Sequence, residues 1–112
     1  MRTLEVMHIR HVGAKPHIVA RAVWDSSRTG PIRCARAGPD MFWIVDRRYQ
    51  RIGLVALRAD ADGTRLAIGL VQVRPKGVAA LSEKVWQGRV EAFLSAVERA
   101  AHAPTCDDIE AA

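Results

Sequence analysis

Between Ser82 and Ala101, Trp86, Val90, Phe93, Leu94, Val97 and Ala101 recur at steps of three and four. That spacing lays one apolar stripe along an α-helix. Ser82 is a good N-cap, and Leu81 and Trp86 stand at the two positions of a hydrophobic staple. Lys84, Gln87, Arg89, Glu91, Glu98 and Arg99 occupy the opposite face, which is therefore solvated. A stripe this long has to lie on something wide and apolar. The segment from about Met41 to Val73 supplies the strands.

Met41 to Val45 is aromatic or β-branched and sits between turn signals, so it reads as a strand. Gly53 to Ala59 and Thr64 to Arg74 form a hairpin around Asp62-Gly63. A two-residue loop pairs Leu57 with Ile68; a four-residue loop pairs Leu57 with Leu66. Both registers put Val55, Leu57, Leu66, Ile68 and Leu70 on one face, because side chains alternate along a strand. Leu54, Ala56, Arg58, Arg65, Ala67 and Gly69 share the other face.

Earlier in the chain, Thr3 to Val12 reads as a strand. Pro16 opens a short helix that ends near Trp24. Asp25 to Pro31 has the composition of a loop, and Ile32 to Ala37 of a short strand. Separate runs of strands and helices define an α+β fold. The expected architecture is an antiparallel sheet of about four to five strands. A short N-terminal helix and a long C-terminal helix pack on one of its faces.

The chain has 112 residues, 49% of them hydrophobic, which suits one domain. That domain is expected over residues 1–102, with a flexible acidic tail at 103–112 carrying Asp107, Asp108 and Glu110. No run is apolar enough to insert in a membrane, and the N-terminus lacks a signal-peptide core, so a cytoplasmic protein is expected. Cys34 and Cys106 do not make a disulfide framework, and free thiols suit a reducing compartment. The net charge of +5 fits contact with a polyanion, but an Arg-rich, Ala-rich composition with no such role accounts for it too and stands ahead.

These elements in this order carry a family resemblance. A Pro-initiated helix ending in Val-Trp-Asp (Pro16 to Asp25), a Trp-bearing strand (Met41 to Val45) and a hairpin turn Asp62-Gly63-Thr64-Arg65 are followed by a long helix with Trp86, Phe93 and Leu94. Together they resemble the START-like, or polyketide cyclase-like, superfamily with its helix-grip fold. The chain is shorter than the usual member and leaves no room for a second small helix at Asp25 to Pro31. The resemblance implies a cleft between sheet and C-terminal helix that binds a hydrophobic small molecule. Its lining would be Trp43 and Val45 from the sheet and Trp86, Val90, Phe93 and Val97 from the helix. A filled core accounts for the same residues and stands ahead of the cleft. The resemblance also implies a cyclase-type enzyme as another reading, for which no residue stands out.

Other chemistry has weaker signals. His8 and His11 are three apart on a strand and point to opposite faces, so with His17 they do not converge on a metal; no metal and no cofactor is expected. Asp60-Ala61-Asp62-Gly63 is explained by a turn rather than a calcium loop. Asp60 and Arg65 can face each other across it. No nucleophile motif or Gly-rich phosphate loop is present. The best polar patch is Arg47, Arg48, Tyr49 and Arg51, joined by Arg33 and Arg36 in the fullest version. Basic residues around an aromatic hold a nucleic-acid backbone and a stacked base. A solvated hairpin loop has the same composition and stands ahead of the nucleic-acid reading. A short sheet with an exposed edge or face also allows a homodimer.

Overall fold

The computed structural model describes residues 4–71 and 83–102. The order is β1 (Leu4–Val12), α1 (Pro16–Thr29), β2 (Arg33–Gly38), β3 (Met41–Val45), β4 (Arg51–Asp60), β5 (Gly63–Val71) and α2 (Glu83–His102). The strands form a five-stranded antiparallel sheet in the order β1-β5-β4-β3-β2. The first strand therefore pairs with the last, and α1 carries the chain from one edge of the sheet to the other. Both helices lie on one face: they pack on each other, α1 over β2, β4 and β5, and α2 towards β1. The α+β architecture is the one the hydrophobic pattern predicts. Ser82, the Leu81 staple partner, the end of the expected strand at 72–74 and the tail with Cys106 lie outside the described residues.

Helix α1 runs five residues past the expected end at Trp24. Pro16 sits at its start, where a missing N–H costs nothing, and Val19, Ala22, Val23, Ser26 and Ser27 are buried at helical spacing. The two serines are small enough to sit inward. Ser27 Oγ donates to the Trp24 carbonyl at 2.7 Å, so its hydroxyl is paired within the helix. The helix stops where the Gly30 N–H donates to the Ser26 carbonyl at 2.8 Å.

The β4–β5 hairpin adopts the register with Leu57 opposite Leu66 and Val55 opposite Ile68. Asp60 pairs with Gly63, leaving Ala61-Asp62 at the tip. Gly63 has φ +156°, and a Cβ there would run into the Val12 carbonyl oxygen. Thr64 Oγ1 donates to the Ala14 carbonyl at 2.8 Å. The turn is thus tied to the loop between β1 and α1. In this register Asp60 does not face Arg65, which stands opposite Arg58. The Asp60 carboxylate accepts from the Ala61 N–H at 2.8 Å and lies 3.9 Å from His11.

One apolar cluster fills the space between helices and sheet. Val19, Ala22 and Val23 from α1 join Phe42, Ile44, Val55, Leu57, Leu66 and Ile68 from the sheet and Val90, Phe93, Leu94 and Val97 from α2. At the β1 margin the seam is polar. Arg10 donates to Glu91 at 2.8 Å and to Glu98 at 3.1 Å, and His8 Nδ1 lies 3.8 Å from Glu91. These carboxylates hold the Arg10 guanidinium, raising its pKa above the ordinary value.

Candidate functional site

The expected lining divides between two faces of the sheet. Val90, Phe93 and Val97 are fully buried in the cluster, where the stripe on α2 puts them. Trp43 is on the other side. It pairs with Leu54, which pairs with Gly69, whereas its neighbours Phe42 and Ile44 pair with Val55 and Gly53 on the helix side. Every residue from Met41 to Val45 is apolar, so the strand itself does not reveal which side faces the helices. Val45 is buried at the end of β3, opposite Arg33 and Arg51, beside a register shift. Trp86 is half-buried with the Arg89 guanidinium 5.4 Å from its ring centre, outside the cluster. Val90, Phe93 and Val97 are thus brought together in the core, and Trp43, Val45 and Trp86 do not join them.

The face of the sheet turned away from the helices has a plain layout. One row across it reads Ile9, Ala67, Ala56, Met41; the next reads Gly69, Leu54, Trp43, Ala35. Ile9 and Met41 are 52% and 39% exposed, so the long side chains at the two ends of the first row stand clear of the alanines between them. At the hairpin end the row is His11, Arg65, Arg58. At the opposite end are Arg51 and Arg33; the Arg51 guanidinium lies 4.6 Å from the Trp43 ring centre, within cation–π range.

The loop between β3 and β4 adjoins this second basic end. Asp46 organises it. Its carboxylate accepts from the backbone N–H groups of Arg48 and Gln50 at 2.8 and 2.9 Å. The Tyr49 N–H donates to the Asp46 carbonyl at 3.0 Å, and the Asp46 N–H to that of Gln50 at 3.0 Å. Tyr49 is thereby held at φ 59°, in the left-handed region that non-glycine residues seldom occupy. Its side chain is 73% exposed, with Arg47, Arg48 and Arg51 also exposed around it. This positioning by Asp46 is what sequence reasoning missed. The signal was an aspartate two and four residues ahead of the amides it caps. Arg33 belongs to this end of the open face. Arg36 does not: it alternates to the helix side and lines a groove beside α1.

That groove, of about 570 Å³, lies between α1 and the β2–β3 turn, with Trp24, His17, Arg21 and Asp40 in its walls. A second, of about 770 Å³, surrounds the Asp60–Gly63 turn and the end of α2. Neither is lined by Val90, Phe93 or Val97. Cys34 is half-buried against the core, and burial pushes its thiol up to about 12. His8 and His11 point to opposite sides of β1, as alternation requires. Among the described residues no helix is long and apolar enough to cross a membrane.

No family model and no curated protein matches the chain. Among solved structures it is similar to an uncharacterised protein from Rhizobium leguminosarum, at 13% sequence identity and a TM-score of 0.52. The match covers 90% of this chain and 97% of that one. At that identity the likeness shows the fold alone.

Proposed function

We propose that this is a small nucleic-acid-binding module that meets its partner through the Asp46–Arg51 loop and the adjoining end of the open sheet face. One observation carries the reading: Tyr49 is fixed in a costly backbone conformation and displayed, 73% exposed, among Arg47, Arg48 and Arg51. A left-handed tyrosine costs about 1–2 kcal/mol and persists only where its surroundings impose it. Here the two bonds to the Asp46 carboxylate impose it. Guanidinium groups pair with phosphate oxygens in bidentate fashion, and a displayed aromatic ring offers a stacking surface to a base. The pair Trp43–Arg51 adds a second stacked platform beside the loop.

The interior is packed by Val90, Phe93, Leu94 and Val97 at 2% exposure or less. That favours an outer surface over a sheet–helix cleft as the place where a partner is met. The test is fluorescence anisotropy of a labelled oligonucleotide at low salt. Replacing Arg47 and Arg48 with Ala and Tyr49 with Gly should weaken binding by about tenfold or more, at about 1–3 kcal/mol for a stacked base alone. Equal binding by the triple variant and the parent overturns the reading.

A further inference from the structure

We propose that the nucleic acid is single-stranded, and that it continues from the loop along β4, across the open face, to a second basic cluster made by Arg58, Arg65 and His11. This rests on the loop reading above. Three observations lead to it.

The first is electrostatic. Arg58 and Arg65 are directly opposed on neighbouring strands, with His11 opposite Arg65 on the far side. Like charges in directly opposed positions repel, with side-chain origins about 5 Å apart. The nearest acid on this face among the described residues, Asp60, accepts from the Ala61 N–H and lies 3.9 Å from His11. An anion lying across the two arginines relieves the repulsion. A phosphate accepts from two guanidinium forks at once.

The second is the shape of what lies between the clusters. Ala56 and Ala67 are flanked by Ile9 and Met41, at 52% and 39% exposure. Gly69 and Leu54 continue the floor towards Trp43. In the first row short side chains lie between longer ones, and the surface between the two basic ends is apolar. Unstacked bases can lie on such a floor. A duplex keeps its bases stacked inside and would present phosphates to an uncharged surface.

The third is length. From Arg51 to Arg58 the backbone of β4 spans about 23 Å, at about 3.3 Å per residue. That fits a single strand of about four to six nucleotides between the end clusters.

The experiment compares dT oligonucleotides of about 3 nucleotides, too short to reach both clusters, and about 12 nucleotides, and a duplex of the longer length, against three proteins. These are the parent, a loop variant (Arg47→Ala, Arg48→Ala) and a face variant (Arg58→Ala, Arg65→Ala). Circular dichroism confirms the fold of each, and Arg58→Lys with Arg65→Lys serves as a charge-preserving control. The face variant should bind the long oligonucleotide about tenfold more weakly, while the short one is unchanged. Its slope of log K against log salt should fall by about 1.4, at about 0.7 for each phosphate left without its arginine. The Lys control should keep most of the affinity, and the duplex should bind less tightly than the single strand. If only the loop variant loses affinity, the path across the face is wrong and the loop reading stands. If the parent binds no oligonucleotide, both fail. A concentration-dependent dimer abolished by Ala56→Glu assigns the face to a second copy of the chain and overturns the proposal.

Discussion

Tyr49 and Asp46 are the residues whose geometry asks most for an explanation. Tyr49→Gly removes a left-handed penalty and adds the chain entropy of a glycine, two contributions of about 1 kcal/mol that oppose each other. Thermal stability is therefore expected to hold within about 1 kcal/mol, while oligonucleotide affinity falls. A loss of both together in a melting and binding comparison would show the tyrosine to be structural. Asp46→Ala removes the acceptor for two backbone amides and should cost about 1 kcal/mol of stability, with weaker binding because the loop no longer holds its shape. Cys34 gives a pH prediction. Its thiol is raised from 9.0 to about 12 by burial. Below pH 9 both folded and unfolded chains hold the proton and the effect is fully present. Above 9 the unfolded chain releases the proton and the folded one does not, so stability falls as pH rises towards 12. Alkylation of Cys34 at mildly alkaline pH should be slow in the folded chain and rapid in denaturant. Fast alkylation of the native protein would contradict the burial of that thiol.

At the scale of elements, the stripe on α2 and the alternation along β4 and β5 were legible because their periods are unambiguous. Val90, Phe93 and Val97, and Val55, Leu57, Leu66 and Ile68, lie where those periods place them. Phe93→Ala should cost about 3–5 kcal/mol. Trp43→Ala should cost clearly less, since Trp43 is half-exposed on the other face. Chemical denaturation of the two variants measures the difference. The reverse order would mean that the sides of β3 have been exchanged. The strand Met41–Val45 was not legible in this respect: an uninterrupted apolar run has no parity of its own, and its facing is set by pairing with Leu54 and Val55. The end of α1 was hidden for another reason. Serines are common in loops, yet Ser26 and Ser27 are helical because a small inward side chain can pair within the turn. Gly63 was legible as a turn residue, but not the close approach of the Val12 carbonyl that requires it. Gly63→Ala should destabilise by about 2 kcal/mol, through strain at the turn and the lost seating of the β1–α1 loop.

For the whole molecule, the division that matters is between the two faces of the sheet. One is closed by α1 and α2 over a single apolar cluster. The other is apolar in the middle and basic at both ends. The sequence carries both sets of residues, but the contrast between faces appears only once β3 and β2 are placed in register. That is why the candidate site moved from a sheet–helix cleft to the outside of the sheet, keeping Arg47, Arg48, Tyr49, Arg51 and Arg33, losing Arg36 and taking over Trp43 from the expected cleft. Trp43 lies beside Arg51, where the loop meets the open face, and reports on that junction directly. A variant with Trp24→Phe and Trp86→Phe leaves it as the sole tryptophan. The decisive measurement is the emission of that variant titrated with a dT oligonucleotide of about 12 nucleotides at low and high salt. Saturable quenching at low salt, with log K falling at a slope of about −3 to −4 as salt rises, is the predicted result. Emission unchanged by the oligonucleotide at low salt would contradict it.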